Sequence, residues 1–327
     1  MRVTLRAIAN RLELSHTTVS RVLNHKADSY ISDETRQRVL LTATEMGYRP
    51  NHMARALVTG KTHIVGLWTL FEFSGYYASI LRHLLLLARA DGYHIIPYDS
   101  TLDIDAFEDS QNTPWLLDGV LACDVPVMVD ALSQSPQYAN VPCVSFGMGY
   151  SVYSDYVGID LFTGACEAMH HLLHTGKSRI AYLVDTASFV PPRKDVRYRA
   201  YQQYMQESGN PEEIICSPSQ LRQNSRLAFR EYIEAKGVPD AVFCHNDEMA
   251  IGAYRALCDL GKSASSEVSL IGCDGLEEVT YLDHPFSTIV APVAEMCEGV
   301  WHTLKNRMQD PSYPKQEQIL SAHLLVR

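Results

Sequence analysis

The 327-residue sequence lacks the features that mark membrane, secreted and redox proteins. No apolar run approaches the roughly eighteen residues that a membrane-spanning helix needs. No apolar stretch follows the arginines near the N-terminus, as a secretory signal would require. The eight cysteines contain no C-x-x-C pair, and Cys123, Cys143, Cys244 and Cys273 lie in apolar runs where a reduced cysteine packs as a small hydrophobic residue. These absences predict a cytoplasmic protein.

Motifs for cofactor and catalytic chemistry are also missing. The sequence contains no G-x-G-x-x-G dinucleotide loop and no G-x-S-x-G nucleophile elbow. TGKS at 175–178 resembles the end of a phosphate-binding loop, but His171 occupies the position of that motif's first glycine. His170, His171 and His174 lack the glutamate of H-E-x-x-H, so a surface cluster is the commoner interpretation. We therefore predict a protein that is not an enzyme and has no cofactor or metal.

Positive charge is scarce overall but concentrated at one end. The net charge is −10, yet residues 1–62 hold ten basic and five acidic residues, a balance of +5. The remaining residues hold eighteen basic and thirty-three acidic residues, a balance of −15. A basic module attached to an acidic body confines polyanion binding to one end of the chain.

The basic end predicts two short helices joined by a tight turn. Leu5, Ile8 and Leu12 recur at helical spacing, and a second helical pattern follows Ser15, which is placed to cap it. The outward face of the second helix has hydrogen-bonding side chains and no carboxylate: His16, Thr17, Thr18, Ser20, Arg21 and Asn24. An ordinary solvated helix is the alternative, but a major-groove reader needs such a face because phosphates repel carboxylates.

TVSRVLN (18–24) and ISDETRQRVLLTATEMGYRPNHMARAL (31–57) resemble the headpiece of the lactose-repressor (LacI) family of bacterial transcription regulators. The sequence departs from the family at Glu13, where glycine is usual in the turn, and in a longer loop at 25–30. The resemblance implies that the following residues bind DNA: Ser15, His16, Thr17, Thr18, Ser20, Arg21, Asn24, Tyr48, Asn51, Ala54 and Leu57.

A third helix and a linker complete this region. The helix is expected to open after Ser32 and to end near Gly47, with an apolar stripe of Val39, Leu40, Ala43 and Met46. Residues 51–61 are too few to hold a helix alone. In the family they form a hinge helix that folds on the operator and inserts a leucine, here Leu57, into the minor groove. The alternative is a plain linker with an exposed leucine.

From residue 63 the pattern changes to alternating strands and helices, which predicts parallel sheets covered on both faces. The fold prediction is therefore an all-α helix-turn-helix headpiece (1–50), a hinge (51–61) and an α/β body (62–327) of two doubly wound lobes. This body resembles the effector-binding part of the same family and the periplasmic sugar-binding proteins. The resemblance assigns about 62–160 and 291–327 to the first lobe, and about 161–290 to the second.

Ligands are expected between the lobes at the carboxyl ends of the strands. Arg197, Asp247 and Asp274 lie at such positions, and a guanidinium near carboxylates suits neutral ligands rich in hydroxyl groups. In the family, the arginine of R-x-x-G/A-Y and the aspartate that closes the G-x-D strand contact the effector; these are Arg197 and Asp274. Asn246 and Asp247 match the family's N-D element, and one of this pair is equally suited to cap the following helix.

The resemblance extends to the first lobe, where Ser74, Tyr76 and Tyr77 occupy the place of the family's N-P-F-F. An aromatic wall of the effector site is predicted there, although a core role for one tyrosine is as compatible with the sequence. The resulting prediction is a homodimeric repressor that binds double-stranded operator DNA and a small effector of the sugar or nucleoside class. The alternative is a metabolite-binding protein or enzyme whose N-terminal helices serve assembly; operator binding distinguishes the two.

Overall fold

The computed structural model describes residues 3–23, 31–48, 56, 60–69, 74–99, 117–134, 140–189, 195–264 and 267–327. The chain divides into two compact units, Met1–Thr62 and His63–Arg327. Within the described ranges, no helix is both long enough and apolar enough to span a membrane.

The described ranges 3–23 and 31–48 of the first unit contain three helices, as the sequence predicts. They are α1 (Leu5–Leu12), α2 (His16–Leu23) and α3 (Asp33–Glu45). Ser15 Oγ accepts a hydrogen bond from Thr18 N at 3.0 Å, and Ser32 Oγ accepts one from Thr35 N at 3.2 Å. Both predicted helix starts are confirmed, because each serine satisfies a backbone N–H that lacks a partner within its helix. The shared core consists of Ile8, Ala9, Val19, Val22, Val39 and Ala43.

The predicted apolar stripe of α3 is wrong at Leu40. Val39 and Ala43 are buried, whereas Leu40 is exposed and Thr42 is buried instead. The reason is the helical period: positions 39, 42, 43 and 46 lie on one face, and residue 40 is turned about 100° from residue 39. The stripe therefore contains a threonine that composition alone would place at the surface.

The turn between α1 and α2 has a left-handed residue. Glu13 has φ 56° and ψ 35°, a conformation that glycine adopts at lower cost than residues with a Cβ atom. The conformation ends α1 and directs the chain into α2. The departure from the family's usual glycine therefore falls where the backbone favours glycine.

The second unit contains two six-stranded sheets, each with helices around it. The first lobe has strand order β11-β5-β4-β3-β1-β2. Its strands are β1 (Ile64–Thr69), β2 (His94–Asp99), β3 (Gly119–Cys123), β4 (Cys143–Gly147), β5 (Asp155–Asp160) and β11 (Glu317–Ser321). Its described helices are α4 (Gly75–Ala90), α5 (Pro126–Gln134) and, near the end of the chain, α10 (Val293–Gln309). All strand pairs in this sheet are parallel.

The second lobe repeats this plan with strand order β12-β10-β9-β8-β6-β7. Its strands are β6 (Ile180–Asp185), β7 (Glu213–Ser217), β8 (Ala241–Cys244), β9 (Ser269–Asp274), β10 (Ser287–Val290) and β12 (His323–Leu325). Its described helices are α6 (Leu161–His174), α7 (Val196–Ser208), α8 (Arg222–Lys236) and α9 (Asp247–Asp259), with a short 3₁₀ helix at Glu277–Tyr281. Strands β6, β8 and β9 are almost wholly buried, as expected for parallel strands covered on both faces.

The assignment of the whole tail to the first lobe is wrong at its end. β11 pairs with β5 in the first lobe, but β12 pairs antiparallel with β10 in the second lobe. Arg327 also bonds to the second lobe, with its backbone N donating to Ser287 Oγ at 3.1 Å. The short β12 completes the backbone hydrogen bonds along the edge of β10, which would otherwise be left unpaired.

All eight cysteines are free. Cys123, Cys244 and Cys273 are buried in strands, as the sequence predicts, whereas Cys143 is only half-buried. Burial raises the pKa of Cys143 to about 12 and raises that of Cys123 and Cys244 well above the ordinary value. These thiols therefore remain protonated at neutral pH and serve as packing groups.

Candidate functional site

The exposed face of α2 carries the predicted DNA-reading side chains. His16, Thr17 and Arg21 are exposed, whereas Thr18 and Ser20 are half-buried. Ser15 and Thr18 bond to each other through their hydroxyls at 2.8 Å, so both help to form the start of the helix. Between Ser15 and Leu23 there is no carboxylate, which keeps this face compatible with phosphates.

Tyr48 has a structural role in addition to any DNA contact. Its ring packs against the core of the three helices, and its backbone N donates to Ala43 O at 2.8 Å. Four other residues assigned to DNA by the resemblance lie outside the described residues: Asn24, Asn51, Ala54 and Leu57.

A cavity of about 350 Å³ lies between the two lobes of the second unit. Its polar lining comes mainly from positions that follow strands: Asp124 after β3, His245 and Asn246 after β8, and Asp274 at the end of β9. The structure therefore brings together six of the seven residues predicted to bind the effector: Ser74, Tyr76, Tyr77, Arg197, Asn246 and Asp274.

Arg197 opens α7 and is almost completely buried. Asp195 caps this helix by accepting from the backbone N of Arg197 at 2.8 Å, and it also pairs with the guanidinium at 2.6 Å. Burial alone would raise the pKa of the Asp195 carboxyl, but the Arg197 guanidinium holds that pKa well below its usual range. The buried ion pair therefore stays ionised and fixes the direction of the arginine.

His245 completes the surroundings of Arg197. Its Nε2 lies 2.9 Å from Arg197 Nη2, and its Nδ1 lies 3.2 Å from the Tyr182 hydroxyl. Burial and the adjacent Arg197 charge lower the pKa of His245 to about 4. The imidazole is therefore neutral at physiological pH, and its Nε2 accepts from Arg197 while Nδ1 carries the hydrogen.

The structure separates the roles of Asn246 and Asp247, which the sequence left open. Asn246 Oδ1 caps α9 by accepting from Met249 N at 2.9 Å, and Asn246 also lines the cavity beside Gln220. Asn246 is therefore the member of the pair that caps the helix, and its contact with the effector stays a prediction.

Asp247 is a correction to the predicted effector set, because its side chain is buried away from the cavity. Its carboxylate accepts from Leu276 N at 2.7 Å and from Thr288 Oγ1 at 2.6 Å. The side chain thus ties α9 to the loop after β9 and to β10. Burial raises the pKa of Asp247 to about 6.

Asp274 closes β9 in an unusual backbone conformation, with φ 127°. Among the described residues, no group donates a hydrogen bond to its carboxyl, although the side chain lines the cavity. Burial, followed by the neighbouring Asp247, raises the pKa of Asp274 well above the usual value. The carboxyl therefore has acceptor positions available to a ligand.

The first lobe contributes an aromatic wall. Ser74 caps α4 by accepting from Tyr76 N at 3.2 Å, and the rings of Tyr76 and Tyr77 meet edge to face with centroids 5.2 Å apart. The Tyr77 hydroxyl donates to Asp124 Oδ2 at 3.4 Å. Tyr76 also packs against hydrophobic cores of the second unit, so its core role is confirmed, and its contact with the effector stays a prediction.

Sequence reasoning missed several polar lining residues: Asp124, Ser188, Asp195, Gln220 and His245. Asp124 and His245 directly follow buried strands, so the rule that selected Asp274 would also have selected them. Gln220 follows β7, a strand that the sequence reading did not identify.

The chain was compared with known protein families and relatives. Residues 4–51 match the family model of bacterial regulatory proteins, lacI family, and residues 169–327 match a periplasmic binding protein-like domain. The HTH-type transcriptional regulator AscG of Escherichia coli K12 is 28% identical over 315 residues, covering 91% of this chain and 89% of AscG. The ribose operon repressor of the same strain is 25% identical over 329 residues, covering 99% of this chain and 98% of the repressor.

Among solved structures, the lac repressor dimer bound to operator and the anti-inducer ONPF has a TM-score of 0.78 at 21% identity. The match covers 100% of this chain and 98% of the repressor chain. These curated relatives are transcription regulators and repressors, which agrees with a DNA-binding regulator and not with an enzyme. The chain therefore contains a lacI-type DNA-binding domain and a periplasmic binding protein-like domain, and it resembles the lacI family of bacterial transcription regulators.

Proposed function

We propose that this regulator is a cytoplasmic repressor that binds operator DNA as a homodimer and releases or retains it according to an effector in the interlobe cavity. The observation that carries the proposal is the polar lining of that cavity at the carboxyl ends of both sheets, with Arg197, Asn246 and Asp274 converging. The basic headpiece supplies the other half of the function, because its charge and its carboxylate-free helix suit DNA.

The lining favours a small ligand rich in hydroxyl groups. A volume of about 350 Å³ is near the lower end of the range of roughly 300–1,000 Å³ for small-molecule pockets. Asn246, Gln220 and Asp274 offer amide and carboxyl groups, and Tyr76 and Tyr77 offer an apolar wall. The similarity to the ribose operon repressor supports a sugar as the effector class.

Contacts between the lobes suggest how the ligand acts. Glu248 of the second lobe accepts from Gly75 N at the start of α4 at 3.3 Å, and it also pairs with Arg222. A ligand that contacts Tyr76 on one side and Asp274 on the other stabilises one spacing of the lobes. We propose that this spacing sets operator affinity, with a coupling of about 1–3 kcal/mol, typical for allosteric proteins.

We propose that exposed apolar side chains of the second unit pack against a second copy of the chain. Leu85 and Leu86 lie on the outer face of α4, and Leu221 and Tyr281 are exposed on the second lobe. Exposed apolar side chains of this size favour an interface. A homodimer also supplies the two reading helices that a palindromic operator needs.

The decisive experiment measures DNA binding by the full-length protein and by a variant without residues 1–60. We expect the full-length protein to select a near-palindromic site from a random duplex library, with nanomolar affinity that falls steeply as salt rises. The truncated variant should lose this binding. Equal behaviour of the two proteins would favour the assembly role of the N-terminal helices and contradict the proposal.

Arg21 provides a finer test on the selected operator. Arg21→Ala should relax base preference at one operator position by about 1–3 kcal/mol, because arginine reads base edges in the major groove. Arg11→Ala, which removes an exposed arginine from α1, is the matched control and should weaken binding to all sequences by a similar factor.

A further inference from the structure

The described lining of the cavity contains one guanidinium, that of Arg197, and the protein itself uses all five of its N–H groups. Arg197 Nε and Nη2 donate to Asp195 at 3.1 and 2.6 Å, and Nη2 also donates to His245 Nε2 at 2.9 Å. Nη1 donates to His245 O at 2.8 Å and lies 4.0 Å from Cys273 Sγ. Arg197 therefore neutralises Asp195 and has no pair of free N–H groups with which to clamp an anionic ligand.

Two other carboxyl groups line the cavity, and neither forms an ion pair with a described residue. Asp124 Oδ1 accepts from Met148 N at 2.6 Å and from Gly149 N at 3.1 Å, but Oδ2 has only the long bond from Tyr77 and a weak contact with the Cys123 thiol. Asp274 has no hydrogen-bond donor in the described part of the chain. Both carboxyl groups act on Tyr76, whose pKa is raised chiefly by burial and further by these two charges.

The charges of the lining are therefore unbalanced. The described lining contains the carboxylates Asp124, Asp195 and Asp274 and the single cation Arg197, a charge of −2 when all are ionised. An acidic or phosphorylated ligand would add negative charge to a lining that has more carboxyl groups than cations, in a setting of low dielectric constant where repulsion is strong. A ligand with one positive charge would reduce the imbalance.

We propose that the effector carries a protonated amine together with its hydroxyl groups, as an amino sugar does, and that the ammonium binds against Asp124 and Asp274. This inference rests on the proposed function, since it specifies the chemistry of the same effector site. An ammonium has three N–H donors, which match the empty acceptor positions of Asp274 and of Asp124 Oδ2. The hydroxyl groups then bind Asn246 and Gln220.

Proton release provides an independent sign of the ammonium. Burial and the neighbouring Asp247 raise the pKa of Asp274, and the other charged groups that act on it are Arg197, Glu248 and Asp124. Because this pKa is raised, a ligand cation that lowers it favours the release of a proton from Asp274. A neutral sugar leaves that proton in place, because it brings no charge to stabilise the carboxylate.

The test compares matched ligands on the full-length protein. Thermal shift and then titration calorimetry are applied to glucose, galactose and mannose, to the three corresponding 2-amino sugars, to their N-acetyl derivatives and to the 6-phosphates. We expect at least one amino sugar to bind about tenfold tighter than its neutral parent. N-acetylation, which removes the charge, should abolish that gain. Titrations in buffers of different ionisation enthalpy should show proton release for the amino sugar alone.

Substitutions of the two aspartates test whether they bind the ammonium group. Asp274→Asn and Asp124→Asn should each reduce the preference for the amino sugar, and Asp274→Asn should abolish proton release. Asparagine tolerates positive φ, so the first variant keeps the backbone conformation. Asp283→Asn removes an equal charge from the exposed surface of the second lobe and should keep the preference.

The outcomes separate this inference from the proposed function. Neutral sugars that bind as tightly as the amino sugars would overturn the inference and leave the proposed function intact. Tightest binding of a 6-phosphate would also overturn the inference. It would indicate that the phosphate binds cations outside the described residues, such as Arg193 and Lys194. No binding by any member of the set would count against the sugar class and the amine together.

Discussion

The surroundings of two carboxyl groups, those of Asp195 and Asp247, shift their pKa values in opposite directions. Asp195 is held ionised by Arg197, whereas Asp247 is buried and accepts from a backbone N–H and a threonine hydroxyl. Burial raises the pKa of Asp247 to about 6, while the pKa of Asp195 lies well below its usual range. An aspartate therefore serves as a fixed negative charge at position 195 and as a group that titrates with pH at position 247.

The raised pKa of Asp247 predicts that the free energy of unfolding depends on pH. A carboxyl whose pKa is higher in the folded than in the unfolded protein favours folding below its unfolded pKa, and this contribution is lost as pH rises through the folded pKa. Relative to Asp247→Asn, the free energy of unfolding of the wild type should fall by roughly 2–3 kcal/mol between pH about 4 and about 6. Urea denaturation of both proteins across this range measures the difference.

Asp283→Asn is the control, because this carboxyl is exposed. Its stability curve should run parallel to that of the wild type. The assignment to Asp247 is wrong if the Asp247→Asn curve also runs parallel, whatever its constant offset. That offset reflects a separate effect, since the asparagine amide has one acceptor oxygen where the carboxylate has two, for the Leu276 N–H and the Thr288 hydroxyl.

At the scale of elements, caps and turns explain how the reading helix is placed. α2 starts where Ser15 accepts from Thr18 N, and its direction is set by the left-handed Glu13 immediately before it. Such cap signals are local, so the sequence could identify them. β7 and α8 were not identified because β7 has only two buried residues and α8 buries only Ser225, Phe229 and Tyr232. Their apolar pattern is too sparse to stand out from a polar segment.

Strain at Glu13 predicts that a less bulky residue stabilises the headpiece. Glu13→Gly should raise the stability of the three-helix unit by up to about 1 kcal/mol, because glycine adopts φ 56° without a Cβ clash. Calorimetry or limited proteolysis of the full-length protein would follow the unfolding of this unit. Glu13→Ala removes the same charge but keeps Cβ, so it should not reproduce the gain. Equal stabilisation by both variants would assign the effect to the glutamate side chain.

At the scale of the whole molecule, exposed apolar side chains either contact water or are buried when the protein assembles. Tyr281 is 77% exposed and Leu221 is 57% exposed, both on the second lobe. An isolated apolar residue at the surface is ordinary, but large side chains in one region favour burial by a partner. The proposed homodimer uses this region.

Tyr281→Asp therefore tests the dimer. A buried unpaired carboxylate at the interface should produce monomers at micromolar concentration and lower operator affinity by about 100-fold or more, because two linked headpieces bind with a high effective concentration. Sedimentation and operator titration measure the two effects. Val127→Asp is the control, since Val127 is also 77% exposed but lies on α5 of the first lobe. A dimer that survives Tyr281→Asp would place the interface elsewhere.

The sequence by itself determined the three helices of the first unit, the alternation of strands and helices, and the positions of Arg197, Asn246 and Asp274 at the cavity. These features follow from local periodicity, helix caps and the rule that parallel strands end at one edge. Only the tertiary structure decided that Asp247 is buried beneath the cavity, that β12 joins the second lobe, and that Asp124 and Asp195 complete the lining. Each of these outcomes depends on contacts between residues distant in sequence, where packing and the pairing of buried charges decide the role of a side chain.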